Sequence, residues 1–389
     1  MDAKLFTQML SDKHITDLKK LGYKYPQADI AEFVGLLQNG FYKPLNIRDF
    51  AGNGLVFLES AARVRAAAVK TLLTPRQSTQ TYGLKAIEEE IASTLTIENI
   101  DYSRDSVRRI LAGHAPKDES ENRILGMKIG FDFISNLSND ISVSNIYSLY
   151  QMAIGTYVAE EDRLQPGQLY RNDDVYVMGS RVEHVGLPWK KLPDYMSELV
   201  AFINEDSEID DLAKAAIIHF YVAYLHPYFD GNGRLARLLH LWYLVRKGYP
   251  SALFIPLSEY IGKSKKKYYD AFTLVENNAG ISGILDVAPF VAYFNEEVYH
   301  RLDRSLPDVG TVEAFQAVLE QGNVTEKERD LWAFVLTAYG SGEFSTKMLE
   351  RDFGNAAYAT IRTFVLKFEE LGLLSSIKYQ NRMKYRAKV

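Results

Sequence analysis

The chain contains no cysteine in 389 residues, which excludes disulfides, thiolate zinc sites and cysteine nucleophiles. Any nucleophile or base must therefore be an oxygen or a nitrogen. No stretch reaches the ~18 consecutive apolar residues of a membrane span, and the opening "MDAKLFTQMLSDKHITDLKK" has no apolar signal core. A cytoplasmic chain with no membrane partner is expected. Positive charge is not in excess either, since 45 Lys and Arg stand against 50 Asp and Glu for a net charge of −5. That argues against bulk attraction to nucleic acid and leaves only a local basic patch open. Internal repeats and low-complexity tracts are absent as well.

What remains is material for a globular core, with 47% of residues hydrophobic and 24% charged. At this length more than one domain is expected. "ESAARVRAAAVKTLL", "LKAIEEEIASTL", "ENRILGMKIGFDFISNL" and "VSNIYSLYQMAI" recur apolar at three- and four-residue spacings, so most of the first 300 residues read as helix. The span "GQLYRNDDVYVMGSRVEHVGLPW" breaks this pattern. Val175 and Val177 alternate there between Asn/Asp and Gly/Ser turn signals, which predicts a small hairpin at about 170–184. Pro, Gly and Asp near "DRSLPDVGTVEAF" predict a hinge at about 305–311.

The densest chemistry lies in "YLHPYFDGNGRLAR", residues 224–237. The helix before it carries Leu212, Ala215, Ile218, Val222 and Leu225 on one face and must stop before Pro227, which turns His226 out of the helix. Asp230, Gly231, Asn232 and Gly233 then form a tight turn into a second apolar helix. A glycine-rich turn at a helix N-terminus presents unpaired N–H groups to an anion. Arg234 and Arg237, three residues apart, point the same way and can neutralise phosphates. Asp230 can hold Mg²⁺ jointly with phosphate oxygens, and a neutral His226 can take a proton from a hydroxyl. Singly, these residues also read as a surface turn, solvated arginines and a helix-end histidine. Together at fixed offsets they fit nucleotidyl transfer onto a hydroxyl.

"HPYFDGNGRLAR" resembles the signature of the Fic family, His-Pro-Phe-x-Asp-Gly-Asn-Gly-Arg-x-x-Arg. The resemblance implies a mainly α fold, with a helical Fic core and a hairpin flap that holds the target segment as an added strand. It also implies transfer of AMP from ATP, with Mg²⁺, to a Ser, Thr or Tyr hydroxyl of a target protein. On that resemblance His226 would be the general base, Asp230 the Mg²⁺ ligand and Asn232 an organiser of the phosphates. Gly231 and Gly233 would shape the anion nest, and Arg234 and Arg237 would hold the β- and γ-phosphates. Tyr228 replaces the usual Phe, adding a hydroxyl that needs a partner if buried, and Ala223 stands where many relatives have Glu. His184 could touch nucleotide or target but reads better as structural. Tyr268 and Tyr269 could lie near the nucleobase but read better as core. "TLTIEN" resembles the inhibitory motif Ser/Thr-x-x-x-Glu-Gly/Asn of Fic proteins that carry their own brake, here Thr94, Glu98 and Asn99. Glu98 would pair with Arg237 and take the place of the γ-phosphate, and relatives of this type sometimes also remove AMP.

Past the hinge, three helices followed by the alternating "SSIKYQNRMKYRAKV" resemble a winged helix. Its end carries Lys378, Arg382, Lys384, Arg386 and Lys388 with no acid among them, a patch that could meet DNA, although Glu350, Asp352, Glu369 and Glu370 dilute it. The expected division is an N-terminal helical region over 1–83, a Fic core with its inhibitory helix over 84–304, and a winged-helix-like domain over 312–389. The competing function is a DNA-binding regulator whose Fic core only senses nucleotide. The intact His226 favours the enzyme, and Gly233 disfavours phosphotransfer. Whether the chain forms a homodimer is left open by the sequence.

Overall fold

The computed structural model describes residues 1–65, 80–178, 182–206, 208–254, 256–302, 324–339, 343–354, 356–379 and 382–388, with Ala68, Val69 and Leu72. Helices α1 (Ala3–Leu10) and α2 (Gln27–Gln38) open the chain. The sequence reading expects helix throughout this region, yet an antiparallel pair follows, β1 (Lys43–Arg48) with β2 (Gly54–Phe57). Its cause is an alternation that the surrounding helical periodicity masks: Leu45 and Ile47 point into the core from one strand, Leu55 and Phe57 from the other. The connecting turn is closed by the Asp49 carboxylate, which accepts from Asn53 N–H at 2.7 Å.

Helix α3 (Gln80–Ile97) ends where Asn99 adopts φ 55° and Ile100 N–H reaches back to the Leu95 carbonyl at 3.0 Å. Asparagine tolerates this left-handed position better than most residues. Helices α4 (Arg104–Leu111), α5 (Glu119–Ser135) and α6 (Val143–Ala153) follow, their starts capped by the side chains of Ser103, Asp118 and Ser142. The flap is β3 (Tyr176–Met178) paired antiparallel with β4 (Val182–Val185). It is shorter than expected and shifted toward the C-terminus, because Arg171 is drawn onto the His226 and Pro227 carbonyls rather than into the ladder.

Helix α7 (Leu192–Asn204) leads to the central pair α8 (Asp211–Leu225) and α9 (Asn232–Arg246), which pack along each other. Both are buried on nearly every face, as a helix surrounded by helices must be. Helix α10 (Leu257–Lys263) packs along α3, while α11 (Lys265–Ser282) and α12 (Ala288–Phe294) pack on α8. The C-terminal part comprises α13 (Glu326–Ala338), α14 (Thr346–Phe353), α15 (Tyr358–Glu370) and the hairpin β5 (Leu374–Tyr379) with β6 (Arg382–Ala387). Phe344 pairs with Tyr385 through both backbone hydrogen bonds, adding a short third strand. This part has its own apolar core, which includes Trp332, Leu349, Phe364 and Phe368, separate from the main core that ends at Leu302. The expected hinge at about 305–311 lies outside the described residues. Helix α13 touches α3.

Candidate active site

Helix α8 runs to Leu225, and the next residue, His226, takes φ 54° and ψ 61°. The backbone thus leaves the helix axis where Pro227 forbids its continuation. Nδ1 of His226 lies 3.3 Å from the Ala223 carbonyl. A carbonyl can only accept, so Nδ1 carries the proton and Nε2 keeps its lone pair. Burial lowers the imidazole to about 4; His184 and Arg171 add to the fall, while the Ala223 carbonyl and Asp230 oppose it. The ring is therefore neutral at physiological pH.

The turn behind His226 is fixed by Asn232. Its amide oxygen accepts from Tyr228 N–H at 3.0 Å, and its NH₂ donates to the Tyr228 carbonyl at 2.8 Å. Asn232 thereby orders the loop that would order the phosphates. Tyr228 lies flat on Tyr150, centroids 3.4 Å apart, and among the described residues its buried hydroxyl has no partner. The extra oxygen at this position is thus left unsatisfied. Gly231 has φ 83°, and a β-carbon there would come within 2.2 Å of Ile154, so both conformation and space require glycine. At Gly233 a β-carbon would sit 2.5 Å from Glu98 Oε1. That close approach places the Glu98 carboxylate against the N-terminal turn of α9, the place an anion would take.

Arg237 Nε donates to Thr94 Oγ at 2.6 Å, and Nη2 donates to Glu98 Oε1 at 2.5 Å. Burial opposes the charge of Arg237 and Glu98 is first among the neighbours that restore it, leaving the guanidinium above its ordinary value. All three residues of the "TLTIEN" pattern now have a physical role: Thr94 and Glu98 bind Arg237, and Asn99 makes the left-handed stop that turns the helix end toward it. Lys265 also reaches the Asn99 side chain at 2.8 Å. Arg234 donates to Asp230 Oδ2 at 2.9 Å, and the Asp230 side chain is half exposed. Among the described residues, Arg234 Nε and Arg237 Nη1 are buried donors without a partner. Such groups are costly unless something completes them.

From Gly233 a cavity extends along Glu98, Asn232, His226 and Ala223 to Tyr224, Tyr268, Tyr269, Phe272, Thr273 and Glu276, with Val177 and His184 of the flap above it. Tyr268 is buried as expected, its hydroxyl 2.7 Å from His219 Nε2, whereas Tyr269, also expected in the core, is 41% exposed. His184, expected to be structural, is both structural and part of the lining: its ring nitrogens reach Glu276 Oε1 at 2.5 Å and the Tyr224 carbonyl at 2.7 Å.

Sequence reasoning missed three residues. Arg171, buried to the last few atoms, donates to the backbone carbonyls of His226 (Nε, 2.8 Å), Leu187 and Asp173. It staples both roots of the flap to the catalytic loop. In "YRNDDV" it reads as a solvated turn residue, and no local pattern marks it otherwise. Glu276 has no motif, only a place on α11 facing the flap. Asp162 lies within electrostatic reach of Asp230; burial first, then Asp230 and Glu161, raise its carboxyl.

Residues 140–244 match the sequence profile of the Fic/DOC family. The chain carries a Fic domain. Among similar curated proteins are the protein adenylyltransferase Fic of Drosophila ananassae, 28% identical over 228 residues that cover 56% of this chain and 41% of that protein, and the protein adenylyltransferase fic-1 of Caenorhabditis briggsae, 25% identical over 250 residues that cover 60% and 44%. The chain thus spans under half the length of these relatives. A solved Fic family protein from Desulfovibrio desulfuricans G20 superposes with a TM-score of 0.50 at 19% identity, covering 84% of this chain and 97% of that one, a likeness of fold. Outside the matched Fic residues lie Phe50, the segment from Thr94 to Asn99 that meets Arg237, and the α11 wall of the cavity.

Proposed function

We propose that this chain is a protein adenylyltransferase that moves AMP from ATP to a Ser, Thr or Tyr hydroxyl of a target protein and is held back by Glu98. The observation that carries the reading is the pair of buried, unpartnered guanidinium nitrogens on Arg234 and Arg237, beside a neutral histidine with its lone pair free. Phosphate oxygens satisfy the first feature and a hydroxyl proton the second. The residues present also fit Mg²⁺. Among the described residues no three carboxylates or histidines gather to hold a metal unaided, but one half-exposed carboxylate beside two arginines suits an ion that takes most of its ligands from phosphate and water. When bound, Mg²⁺ would neutralise phosphate charge at Asp230.

In the reaction the target hydroxyl gives its proton to His226 Nε2 as its oxygen bonds to the α-phosphorus. The bond to the leaving pyrophosphate breaks, and the arginines receive the charge. Glu98 holds Arg237 in a bond that a γ-phosphate would need, so nucleotide binds out of line. Relief of that contact turns the enzyme on, and the same carboxylate near the α-phosphate is also suited to AMP removal. The C-terminal unit, with its three helices, bridging strand and hairpin, is proposed as a winged-helix-like module. Of the five basic residues at its C-terminal end, Lys384 is paired with Glu343 at 2.9 Å.

The test is incubation with ATP labelled in the α-phosphate and Mg²⁺, scoring label on protein. His226→Ala is expected to lose ~10²- to 10⁴-fold in transfer while keeping ATP affinity, and Asp230→Ala to lose its Mg²⁺ dependence. Equal labelling by parent and His226→Ala ends the general-base assignment.

A further inference from the structure

A second hollow, of about 350 Å³, lies beside the nucleotide cavity and shares the wall made by His184, Tyr224 and Glu276. Its other sides are Phe50 from the β1–β2 turn, Val185 at the end of the flap, and Leu285 after α11. Phe50 is stacked on Tyr224 with centroids 4.1 Å apart, and its turn is pinned from α7 and the residues before it. Lys191 donates to the Phe50 carbonyl at 3.2 Å and Tyr195 to the Asp49 carbonyl at 2.8 Å. The hollow is therefore a built feature, and two of its sides, Phe50 and Leu285, come from segments outside the Fic-matched residues. Val185 is 45% exposed on its edge, and among the described residues no side chain fills the hollow.

We infer that this hollow binds an apolar side chain of the target protein, two residues from the hydroxyl that is modified. This rests on the transferase reading above. Two observations lead to it. The first is position: the hollow begins on the far side of Tyr224, two residues before His226, one side chain away from where the hydroxyl must meet Nε2. A segment lying extended along the flap advances about 3.3 Å per residue and turns alternate side chains to the same face. The side chain two residues away reaches about 6.6 Å further on that face. The second is chemistry. Phe50, Tyr224, Val185 and Leu285 offer apolar surface, and the charged lining groups, His184 and Glu276, already bond each other. An acidic side chain would meet the Glu276 carboxylate, and a basic one would have to compete with His184, which already holds Glu276 Oε1 at 2.5 Å.

The test uses the full chain carrying Glu98→Gly, ATP labelled in the α-phosphate, Mg²⁺, and peptide libraries with a central Ser, Thr or Tyr and each flanking position varied. At one of the two positions two residues from the hydroxyl, Leu, Met or Phe is expected to outscore Asp by about tenfold or more. Phe50→Ser is expected to flatten that preference below about threefold. Val185→Glu, at an exposed position that folding tolerates, is expected to turn it toward Lys and Arg. ATP affinity should stay the same in both, because neither residue lines the nucleotide cavity. A library labelled without such a preference, or with one that survives both substitutions, overturns the inference alone. Self-labelling with no peptide labelled overturns it too, since no short segment is then being read. Absence of label from peptides and protein alike overturns the transferase reading and this inference with it.

Discussion

At the end of the cavity near Gly233, two buried guanidiniums each keep a nitrogen without a partner among the described residues, while Glu98, just past the end of α3, reaches Arg237 and Asp230 reaches Arg234. At the other end, near Thr273, His184 and Glu276 satisfy each other and the aromatic rings of Tyr224, Tyr268 and Phe272 close the wall. The first end is incomplete without an anion, while the second already has its contacts. A site divided in this way can be regulated by supplying the missing anion from the protein itself, the role proposed above for Glu98. The apolar end cannot be inhibited so simply, because it lacks an unmet charge for a side chain to mimic.

The largest test of this contrast exchanges the anion. Glu98→Gly removes the internal carboxylate, so a γ-phosphate can pair with Arg237 and the α-phosphate comes into line with the hydroxyl. Transfer is expected to rise by ~10²-fold, the scale of a reactant misplaced by about 1 Å, and ATP should bind more tightly. Both are read from labelling rates and from ATP titration. If neither moves, Glu98 is only a helix residue that happens to meet an arginine.

Next in size is the wall between the two ends. Arg171→Met leaves the carbonyls of His226, Leu187 and Asp173 without their donor, and each unpaired buried group costs about 1–3 kcal/mol. Denaturant unfolding should show a loss in that range or above. Arg171→Lys, with three donors but no planar fork, should recover only part. Unchanged stability in both would mean that the flap roots are held by the remaining backbone bonds, such as Leu187 N–H to the Leu225 carbonyl at 3.2 Å.

How much of this could be read beforehand follows the same division. The phosphate end is written in one unbroken stretch, residues 226–237, because a turn and the first helical turn after it can carry a base, an acid, two glycines and two arginines within reach of each other. The brake was legible because Thr94, Glu98 and Asn99 also sit within one helix end. The apolar end draws His184, Tyr224 and the pair Phe272 and Glu276 from three separate segments, and no spacing along the chain announces that they meet. Arg171 was hidden for a related reason: its partners are backbone carbonyls, which every sequence has. The β1–β2 pair was missed because its alternation is short and stands between helical patterns. His184 was placed on the structural side, and the geometry shows that holding the flap and lining the cavity are the same contact.

A smaller effect separates His226 from an ordinary histidine. Its folded value of about 4 lies below the usual 6.5, so the base stays neutral until the pH falls toward 4. The acid limb of transfer is expected there. At pH 5 the enzyme should keep most of its rate, where an ordinary imidazole would be only roughly 3% neutral. The sign for stability is the same: the unfolded chain binds this proton first, so His226 contributes stability above pH 6.5 that is lost as pH falls from about 6.5 to about 4. An acid limb near 6.5 would show that the imidazole is less enclosed than its surroundings indicate.

The smallest expected effect lies one turn up the brake helix. Glu90 is buried; its carboxylate accepts from Ser258 N–H at 2.8 Å and from the Ser258 hydroxyl, which ties α3 to the start of α10. Burial raises this carboxyl to about 7, against the pull of both Ser258 bonds and of Arg237. Here the sign is opposite to that of His226. The folded value stands above the unfolded one, so the contribution is complete below about 4.5 and is lost as pH rises toward 7. Glu90→Gln imitates the protonated form: its carbonyl oxygen accepts the Ser258 N–H, and its NH₂ can donate to the hydroxyl without a buried charge. The variant should match the parent in thermal midpoint near pH 5 and exceed it by a few degrees at most near pH 8. Because Glu90 and Glu98 lie on the same helix, the parent's brake should also loosen slightly as Glu90 ionises, and the relative self-labelling of parent over Glu90→Gln should rise with pH. A midpoint difference that stays flat from pH 5 to 8 would show that Glu90 does not change charge in this range. The hold on the brake would then belong to Thr94 and Glu98 alone.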